Sequence, residues 1–421
     1  MFNSQYQIFK DYIKSLIEKG LYINNIDIIL QDINNRKIKA INEIKKNEIL
    51  VKVPNNLIIS LEKIFSSELI IYIKDYLSDL KQNLKTFNQT LLSIFILYEM
   101  NKNKDSIWYN YFNFLPYNYD NFPIFYTNNL LNKLKGTSFL SILENKKKEI
   151  LNDYNIISKI INNKLFNFSF YEFNIVYCIV SSRIFGTIIN NSKTDILVPF
   201  ADLFNHSNLN NNSTYYYDNE SNNFIVKSKE KILNNCEIND FYGPKSNYIL
   251  LLNYGFTLEN NIYNELKLKI DDKFFYLIKN YYDNQSLLLY SYIRKKLYNG
   301  DINNETNKPI SIKNEIKMHN KLIDIFNERL NKFNKKEIFD IKEDKISFNQ
   351  NNCLMICKDE IDILNYYIQF SLDCLEFLNL EIDKAEIILS ELIKNNLNNN
   401  INYNIKQYPL YFKDLYQYIY C

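Results

Sequence analysis

The spacing of apolar residues gives the first part of the chain two different patterns. In residues 23–60, apolar and polar residues alternate in short stretches, as they do around Ile49, Val51 and Val53. A period of two predicts β-strands. In residues 61–173 the apolar residues recur every three to four positions instead. That spacing predicts a helical insertion.

The same two patterns return in the second part of the chain. Short strand-like stretches separated by polar loops fill residues 196–256, and helical spacing resumes beyond Asn264. An α+β protein follows from this alternation. We expect four segments: N-terminal strands in residues 1–60, a helical insert in 61–173, a second group of strands in 174–264 and a helical C-terminal lobe in 265–421.

Charge and hydrophobicity narrow the range of partners. The chain of 421 residues carries 50 Lys and Arg against 48 Asp and Glu, a formal net charge of +2. No overall field therefore marks it for nucleic acid or for an anionic membrane, and we expect neither as a partner. Residues 1–20 lack the pattern of a secretory signal, and no run approaches the ~18 apolar residues of a spanning helix. An intracellular location, in the cytoplasm or the nucleus, is the expectation.

Metal and nucleotide-phosphate sites find little support in the sequence. The six cysteines form no Cys-x-x-Cys pair, and the two histidines cannot complete a zinc finger. With six glycines in the whole chain, no glycine-rich phosphate loop is present. We therefore predict no bound metal.

Polar and aromatic residues concentrate in residues 182–256. Four short motifs follow one another there: Ser-Arg-Ile-Phe at 182–185, Asp-Leu-Phe-Asn-His-Ser at 202–207, Glu-Ile-Asn-Asp-Phe-Tyr-Gly at 237–243, and Tyr-Gly-Phe at 254–256. Each has an ordinary explanation when taken alone: Asn205-His206 as a turn, Arg183 as a surface charge, Tyr242 as one of 35 tyrosines. Only their joint occurrence in this order indicates a functional site.

In order and spacing, these motifs resemble those of the SET-domain methyltransferases. The similar branch contains the Rubisco large-subunit lysine methyltransferase and the actin-histidine methyltransferase. Segments at 38–54 and 106–137 resemble that branch's N-terminal strand pair and helical insert; beyond Asn264 only the helical character and residues 385–389 do. The resemblance implies a SET fold of small β-sheets with a helical insert and a helical C-terminal substrate-binding lobe.

The resemblance also implies an activity, an S-adenosylmethionine-dependent protein methyltransferase. The expected acceptor is a lysine of a non-histone protein, bound by the SET cleft and the C-terminal lobe. Methyl transfer from a sulfonium needs a neutral amine held in line with the donor, so positioning supplies most of the acceleration. By resemblance, Tyr242 is the catalytic residue, whose hydroxyl orients the methyl group and the incoming nitrogen.

Cofactor-binding and substrate-binding residues follow from the same resemblance. Arg183 would face the cofactor carboxylate with a planar guanidinium fork. Asp202 and Glu237 would support the neighbouring ligands by hydrogen bonds. The full cofactor set is Asn34, Asn35, Arg36, Arg183, Asp202, Asn205, His206, Tyr242 and Phe256, and the substrate set is Phe185 and Tyr254.

Two other hypotheses stay open beside the lysine methyltransferase. The branch usually begins its cofactor loop with Gly-x-Gly-Leu, where this chain has Asn-Arg-Lys-Ile at 35–38. Lys37 lacks the conformational freedom of glycine, so a SET-fold binding module with weakened cofactor binding is one alternative. The other is a protein-histidine methyltransferase. In the branch's lysine enzymes an aromatic residue stands two positions after the arginine, whereas the histidine enzyme has a small amide there; Phe185 favours lysine.

Overall fold

A computed structural model describes residues 2–30, 36–116, 118–279, 283–298, 308–333, 346–397 and 408–419. The chain divides into two compact units. The first consists of Met1–Phe125, Glu144–Pro244 and Leu252–Gly255, and the second of Tyr126–Leu143, Lys245–Leu251 and Phe256–Cys421. The division into four segments that the sequence suggested stays a prediction.

The helices, in chain order, are α1 (Phe2–Glu18), α2 (Leu61–Phe65), α3 (Ile70–Ile73), α4 (Leu77–Asn83), α5 (Phe87–Asn101), α6 (Tyr109–Phe114), α7 (Asn128–Lys133), α8 (Ser138–Ile161), α9 (Phe170–Arg183), α10 (Asn247–Tyr254), α11 (Asn284–Leu297), α12 (Ile312–Leu330), α13 (Phe348–Leu378), α14 (Ile382–Leu397) and α15 (Tyr408–Ile419). The strands are β1 (Tyr22–Ile23), β2 (Ile26–Leu30), β3 (Arg36–Ala40), β4 (Ile49–Pro54), β5 (Ile59–Ser60), β6 (Ile184–Ile189), β7 (Ser192–Leu197), β8 (Asn205–His206), β9 (Ser213–Asp218), β10 (Asn223–Ser228), β11 (Asn239–Asp240), β12 (Glu265–Ile270) and β13 (Lys273–Ile278).

Small separate sheets form the strand part of the first unit. A four-stranded sheet has the order β1-β4-β10-β9, a three-stranded sheet the order β5-β7-β6, and β2-β3 and β8-β11 are pairs. Strand β4 is internal to its sheet, and its residues Leu50, Val51 and Val53 are fully buried. Every pairing in the unit is antiparallel except β8–β11, which is parallel.

Helices surround these sheets in the first unit. Helix α9 begins with a capping box, in which the Ser169 hydroxyl accepts from the Glu172 amide and the Glu172 carboxylate accepts from the Ser169 amide. It packs on α5, whose residues from Thr90 to Glu99 are all buried. A helix that is apolar on every side belongs in a core, which explains why α5 carries so little polar surface. Helix α9 ends at Arg183, directly before the first motif residues of β6.

The second unit combines a hairpin with helices. Strands β12 and β13 pair in register from Glu265 opposite Ile278 to Ile270 opposite Lys273. The expectation of a purely helical chain beyond Asn264 is therefore wrong at its start. The alternation that buries Leu266 and Leu268 and leaves their neighbours partly or fully exposed is a strand pattern, but it spans only one hairpin.

A buried ion pair stabilises the helical part of the second unit. Arg294 of α11 donates to both carboxylate oxygens of Glu315 of α12, at 2.8–2.9 Å, and the two side chains are 1% and 0% exposed. The Tyr411 hydroxyl of α15 also contacts this pair, at 3.1 Å from Arg294. The ion pair thus ties three helices of this unit together.

Two further elements differ from the sequence-based expectation. Residues 2–18 form helix α1 inside the segment 1–60 that was predicted as N-terminal strands, and α10 lies within the region predicted as strand-like. The fold class itself is as predicted, since helices and small sheets occur together. Within the described ranges, no helix is long and apolar enough to cross a membrane, and no cluster of three or more His, Cys, Asp or Glu side chains could hold a metal ion.

Candidate functional site

The parallel pair β8–β11 joins the second and third sequence motifs. Asn205 lies opposite Asn239 and His206 opposite Asp240. The Ser207 amide continues the pairing by donating to the Asp240 carbonyl at 3.0 Å. Each strand has only two residues. Because the pairing is parallel, no tight turn connects the two strands, and residues more than thirty positions apart in sequence meet here. The residues that follow β11 consequently lie beside the Asn-His motif.

Tyr242 is held between two rings and a carbonyl. Its hydroxyl donates to the Phe204 carbonyl at 2.7 Å, and its amide donates to His206 Nδ1 at 3.1 Å. Its ring stacks on His206 with centroids 4.9 Å apart and on Tyr254 with centroids 5.1 Å apart. Burial, together with the nearby charge of Asp240, raises the pKa of Tyr242 well above its usual value. The hydroxyl is therefore neutral at physiological pH and keeps oxygen lone pairs for a further partner.

Gly255 sets the position of Tyr254 at the end of α10. Its φ is +76°, a backbone region that side chains other than glycine rarely adopt, and a Cβ at this position would collide with the side-chain amide of Asn121. The same amide donates to the Gly255 carbonyl at 3.1 Å. The glycine of the Tyr-Gly-Phe motif is thus required by the local backbone.

Phe185 belongs to a group of packed aromatic rings. It is 8% exposed and packs edge-on against Tyr215, with centroids 5.1 Å apart, and against Phe224, at 5.2 Å. Tyr215 and Phe224 stack on each other, also at 5.2 Å. Burial and the Tyr215 hydroxyl both raise the pKa of Tyr254, so Tyr215 links the Phe185 group to Tyr254. We call Phe185, Tyr215, Phe224, Tyr242 and Tyr254 the aromatic cluster.

Buried charges lie next to the Asn-His motif. Arg183 Nη1 is 2.8 Å from Asp202 Oδ2, and their side chains are 11% and 0% exposed. The Tyr111 hydroxyl donates to the same carboxylate oxygen at 2.9 Å. The sequence assigned Arg183 to a ligand carboxylate and Asp202 to loop support. In the structure the two residues form one buried ion pair.

A second buried cation, Arg36, lies near the Arg183–Asp202 ion pair and changes the net charge of this buried group. Its side chain is 8% exposed, and its guanidinium lies 4.8 Å from the ring centroid of Phe114. Burial, and then repulsion by Arg183, lower the pKa of Arg36 to about 10. Two cations therefore accompany one carboxylate, which leaves one surplus positive charge. Arg36 Nη1 and Asp202 Oδ1 are both buried without a hydrogen-bond partner among the described residues.

The turn that carries Asp202 is strained. Phe200, which is fully buried, has a φ of +80° and a ψ of −49° and directly precedes the helical turn Ala201–Leu203. A bulky residue in this region costs of order 1–3 kcal/mol, and such outliers occur preferentially at functional sites. Sequence reasoning missed Phe200, since neither Gly nor Asn marks the position.

Asn205 connects strand β3 with the third motif. Its Nδ2 donates to the Arg36 carbonyl at 2.9 Å and to Glu237 Oε1 at 3.2 Å. Lys37 Nζ lies 3.4 Å from Glu237 Oε2, and both of these side chains are partly exposed. Lys37 lies in an extended strand and is not among the residues of positive φ. Its replacement of a glycine therefore imposes no backbone strain.

Most of the predicted site residues lie in the first unit. Arg36, Arg183, Phe185, Asp202, Asn205, His206, Tyr242 and Tyr254 all belong to it, and Phe256 belongs to the second unit. Asn34 and Asn35 lie outside the described residues. Tyr215, Phe224, Asp240 and Phe200 are neighbours that the sequence did not single out. The roles assigned to all these residues stay predictions.

Known proteins resemble this chain in sequence. No protein-family model matches it. An actin-histidine N-methyltransferase of Xenopus tropicalis is 24% identical over 276 residues, which are 62% of this chain and 46% of that protein. The ribosomal lysine N-methyltransferase set10 of Schizosaccharomyces pombe is 26% identical over 238 residues, 55% of this chain and 41% of that protein. The chain thus spans less than half the length of these relatives.

Solved structures resemble it over most of its length. A SET domain of LSMT bound to lysine and AdoHcy superposes with a TM-score of 0.74 at 19% identity, over 89% of this chain and 93% of that one. Rubisco LSMT bound to sinefungin and monomethyllysine gives 0.73 at 19% identity, over 89% and 94%. The chain has the SET-domain fold. The predicted resemblance to the branch of the Rubisco and actin enzymes is confirmed.

Proposed function

We propose that this SET-fold chain is an S-adenosylmethionine-dependent protein methyltransferase and that its acceptor is a protein lysine. The observation that carries the proposal is the buried polar group formed by Arg36, Arg183 and Asp202 beside the Asn205–His206 strand. A folded core tolerates a surplus buried charge poorly unless a ligand completes it.

The donor and acceptor atoms of this group fit an amino-acid zwitterion. S-adenosylmethionine ends in a carboxylate and an ammonium. Arg36 Nη1 can donate to the carboxylate, and Asp202 Oδ1 can accept from the ammonium; both atoms are buried without a partner among the described residues. The surplus positive charge would be balanced by the carboxylate. Asn205 and His206, which follow Asp202 in the same motif, would hold the remainder of the cofactor. When bound, the cofactor supplies a methyl group on a positively charged sulfur.

Tyr242 is proposed to orient the reacting groups. Its hydroxyl hydrogen is engaged by the Phe204 carbonyl, and its ring is fixed between His206 and Tyr254. The oxygen lone pairs are thereby held in one direction, where they can stabilise a positively polarised carbon. Such an interaction matters most in the transition state, so it should raise kcat more than affinity.

The aromatic cluster supports lysine as the acceptor. Phe185 is packed edge-on by Tyr215 and Phe224, so its position offers no amide or hydroxyl to an imidazole. Aromatic walls suit an alkyl chain that ends in a cation. The neighbouring structures named above contain lysine or monomethyllysine, while the relatives include both a histidine and a lysine enzyme.

The two alternatives have less support from the site. A histidine acceptor would leave the imidazole without a hydrogen-bonding partner at Phe185. A binding module that has lost the cofactor was suggested by Lys37, but Lys37 lies in extended backbone and is paired with Glu237. Binding of the protein substrate by the cleft and the C-terminal lobe is part of the proposal. A cytoplasmic or nuclear location stays a prediction.

Transfer of an isotope-labelled methyl group tests the proposal. The purified chain is incubated with heavy-methyl S-adenosylmethionine and a cell lysate, and labelled residues are identified by mass spectrometry, with Tyr242→Phe as the matched control. We expect heavy methyl on lysine Nζ with the wild type and strongly reduced labelling with the variant. Labelled histidine would favour the histidine alternative. Absence of both labelling and calorimetric cofactor binding would favour the binding module.

A further inference from the structure

Asp240 is a buried carboxylate that the proposed mechanism does not use. It lies on β11 opposite His206 and is 5% exposed. Its main-chain carbonyl is engaged by the Ser207 amide. The ion pairs found in the described ranges do not include Asp240. An aspartate at nine-tenths burial without a cation is costly, which calls for a functional explanation.

Three tyrosines from different segments lie within electrostatic range of this carboxylate. Tyr242 follows it by two residues, Tyr215 lies on β9, and Tyr254 lies at the end of α10. Burial raises the pKa of Tyr215 to about 12, and Asp240 adds to the rise. Burial likewise raises the pKa of Tyr242 and of Tyr254, and again the charge of Asp240 contributes. Asp240 therefore lies within electrostatic range of three members of the aromatic cluster.

Lys229 is a charged neighbour of Asp240. Burial raises the pKa of Asp240 to about 6, against the opposing effects of a hydrogen bond from the Phe241 amide and the charge of Lys229. His206 lies beside it on β8. At pH 7 and above Asp240 is thus ionised, while the surrounding tyrosines are neutral. The carboxylate of Asp240 therefore places one negative charge within electrostatic range of the aromatic cluster.

We propose that Asp240 binds the substrate lysine as an ammonium and accepts one proton from its Nζ. This inference rests on the proposed methyl transfer to lysine. The N–H bond breaks, its electron pair stays on nitrogen as the nucleophilic lone pair, and an O–H bond forms on the Asp240 carboxylate. The proton passes to solvent after the product leaves.

This proton transfer supplies the neutral amine that methyl transfer requires. With a pKa of about 10.4, only about one free lysine in 2,500 is neutral at pH 7. Desolvation disfavours both charged forms, so it lowers the pKa of the lysine and raises that of the aspartic acid. The two values approach each other once water is excluded from the cluster. A neutral amine beside a protonated carboxyl then becomes accessible.

The pH dependence of kcat/KM distinguishes this role from a structural one. With Asp240 present, kcat/KM should rise through about pH 6 and then stay level toward the pKa of lysine. In Asp240→Asn, the neutral amine must come from solution, so kcat/KM should climb about tenfold per pH unit between pH 7 and 9. We expect a loss of about 100-fold or more at pH 7, the usual contribution of a general base. The deficit should shrink at high pH.

The experiment compares three proteins on a peptide that carries the labelled lysine. They are the wild type, Asp240→Asn and the control Asp218→Asn, which removes a carboxylate that accepts from Ser221 in the β9–β10 turn. Asp240→Ser serves as a second variant if the asparagine disturbs folding. Thermal unfolding checks that each protein is folded.

Peptide binding to the cofactor-free proteins gives an independent readout. Asp240→Asn should weaken binding of the lysine peptide about tenfold or more at pH 7.5, the value of one charge-assisted hydrogen bond. Binding of a peptide with norleucine in place of lysine should hardly change. Parallel pH profiles for wild type and variants, with equal lysine-peptide binding, would overturn the role of Asp240 while methyl transfer stands. A wild type that methylates no protein would overturn the proposed function and this inference together.

Discussion

Replacing Arg36 by methionine should change the stability of the cofactor-free protein and its cofactor affinity in opposite directions. Methionine keeps much of the volume of the side-chain stem but removes the charge. In the structure that charge is buried beside Arg183, and it has no carboxylate of its own. It is therefore unfavourable in the free protein and useful only when an anionic group binds.

The structure gives the size of the change in stability. The fall in the pKa of Arg36 to about 10 corresponds, at about 1.4 kcal/mol per pKa unit, to about 3 kcal/mol of unfavourable free energy. The variant also loses the contact with the Phe114 ring, which removes about 0.5–2 kcal/mol of stabilisation. The free energy of unfolding should thus rise by about 1–2.5 kcal/mol, which raises Tm by roughly 2–10 °C for a unit of this size.

The second effect of Arg36→Met is weaker binding of S-adenosylmethionine. Loss of a hydrogen bond between charged groups costs about 1.5–3 kcal/mol, or about ten- to a hundredfold in Kd. Thermal unfolding without ligand and calorimetric titration with S-adenosylmethionine measure the two quantities. Lys37→Met is the matched control on the same strand, and it should change neither value by much, because Lys37 is partly exposed. Wild-type cofactor affinity in Arg36→Met would refute this reasoning.

Further substitutions test the neighbouring charges. Arg183→Met should destabilise the protein by about 3–5 kcal/mol, because it removes the cation that is hydrogen-bonded to the buried carboxylate of Asp202; a chemical denaturation curve close to that of the wild type would contradict the ion pair. Asn205→Ala should weaken cofactor binding about tenfold by calorimetry and leave the protein folded, and unchanged affinity would count against its assignment. Arg294→Met should destabilise the second unit by a similar 3–5 kcal/mol through Glu315, whereas the Kd for S-adenosylmethionine should not change.

The sequence predicted the parts of the site that lie in continuous motifs. Asn205, His206 and Tyr242 were assigned from motif order, and the structure brings them together through β8–β11. The pairing of β8 with β11 could not be predicted from the sequence, because a strand of two residues is too short to show an alternation of apolar and polar residues. Parallel neighbours also have no turn between them that could mark the contact.

Side-chain environments were the least predictable part. Arg36 was assigned to the cofactor set without a role for its side chain, yet its buried guanidinium sets the charge of the site. Asp240 reads as a polar residue at a strand end, and only tertiary packing buries it within electrostatic range of tyrosines. The backbone conformation of Phe200 has no sequence signal at all. Hairpin β12–β13 was missed because its alternation covers so few residues.

The turnover of Tyr242→Phe tests the central claim most directly. The substitution removes one oxygen and keeps the ring that stacks between His206 and Tyr254, so the fold and the Kd for S-adenosylmethionine should remain close to those of the wild type. On a protein substrate identified by heavy-methyl labelling, kcat should fall by about 10²–10³, the scale of losing one well-placed polar group. Tyr216→Phe, on exposed strand surface, should retain full activity. Wild-type kcat in Tyr242→Phe would show that Tyr242 is only a packed aromatic residue and would contradict the proposed mechanism.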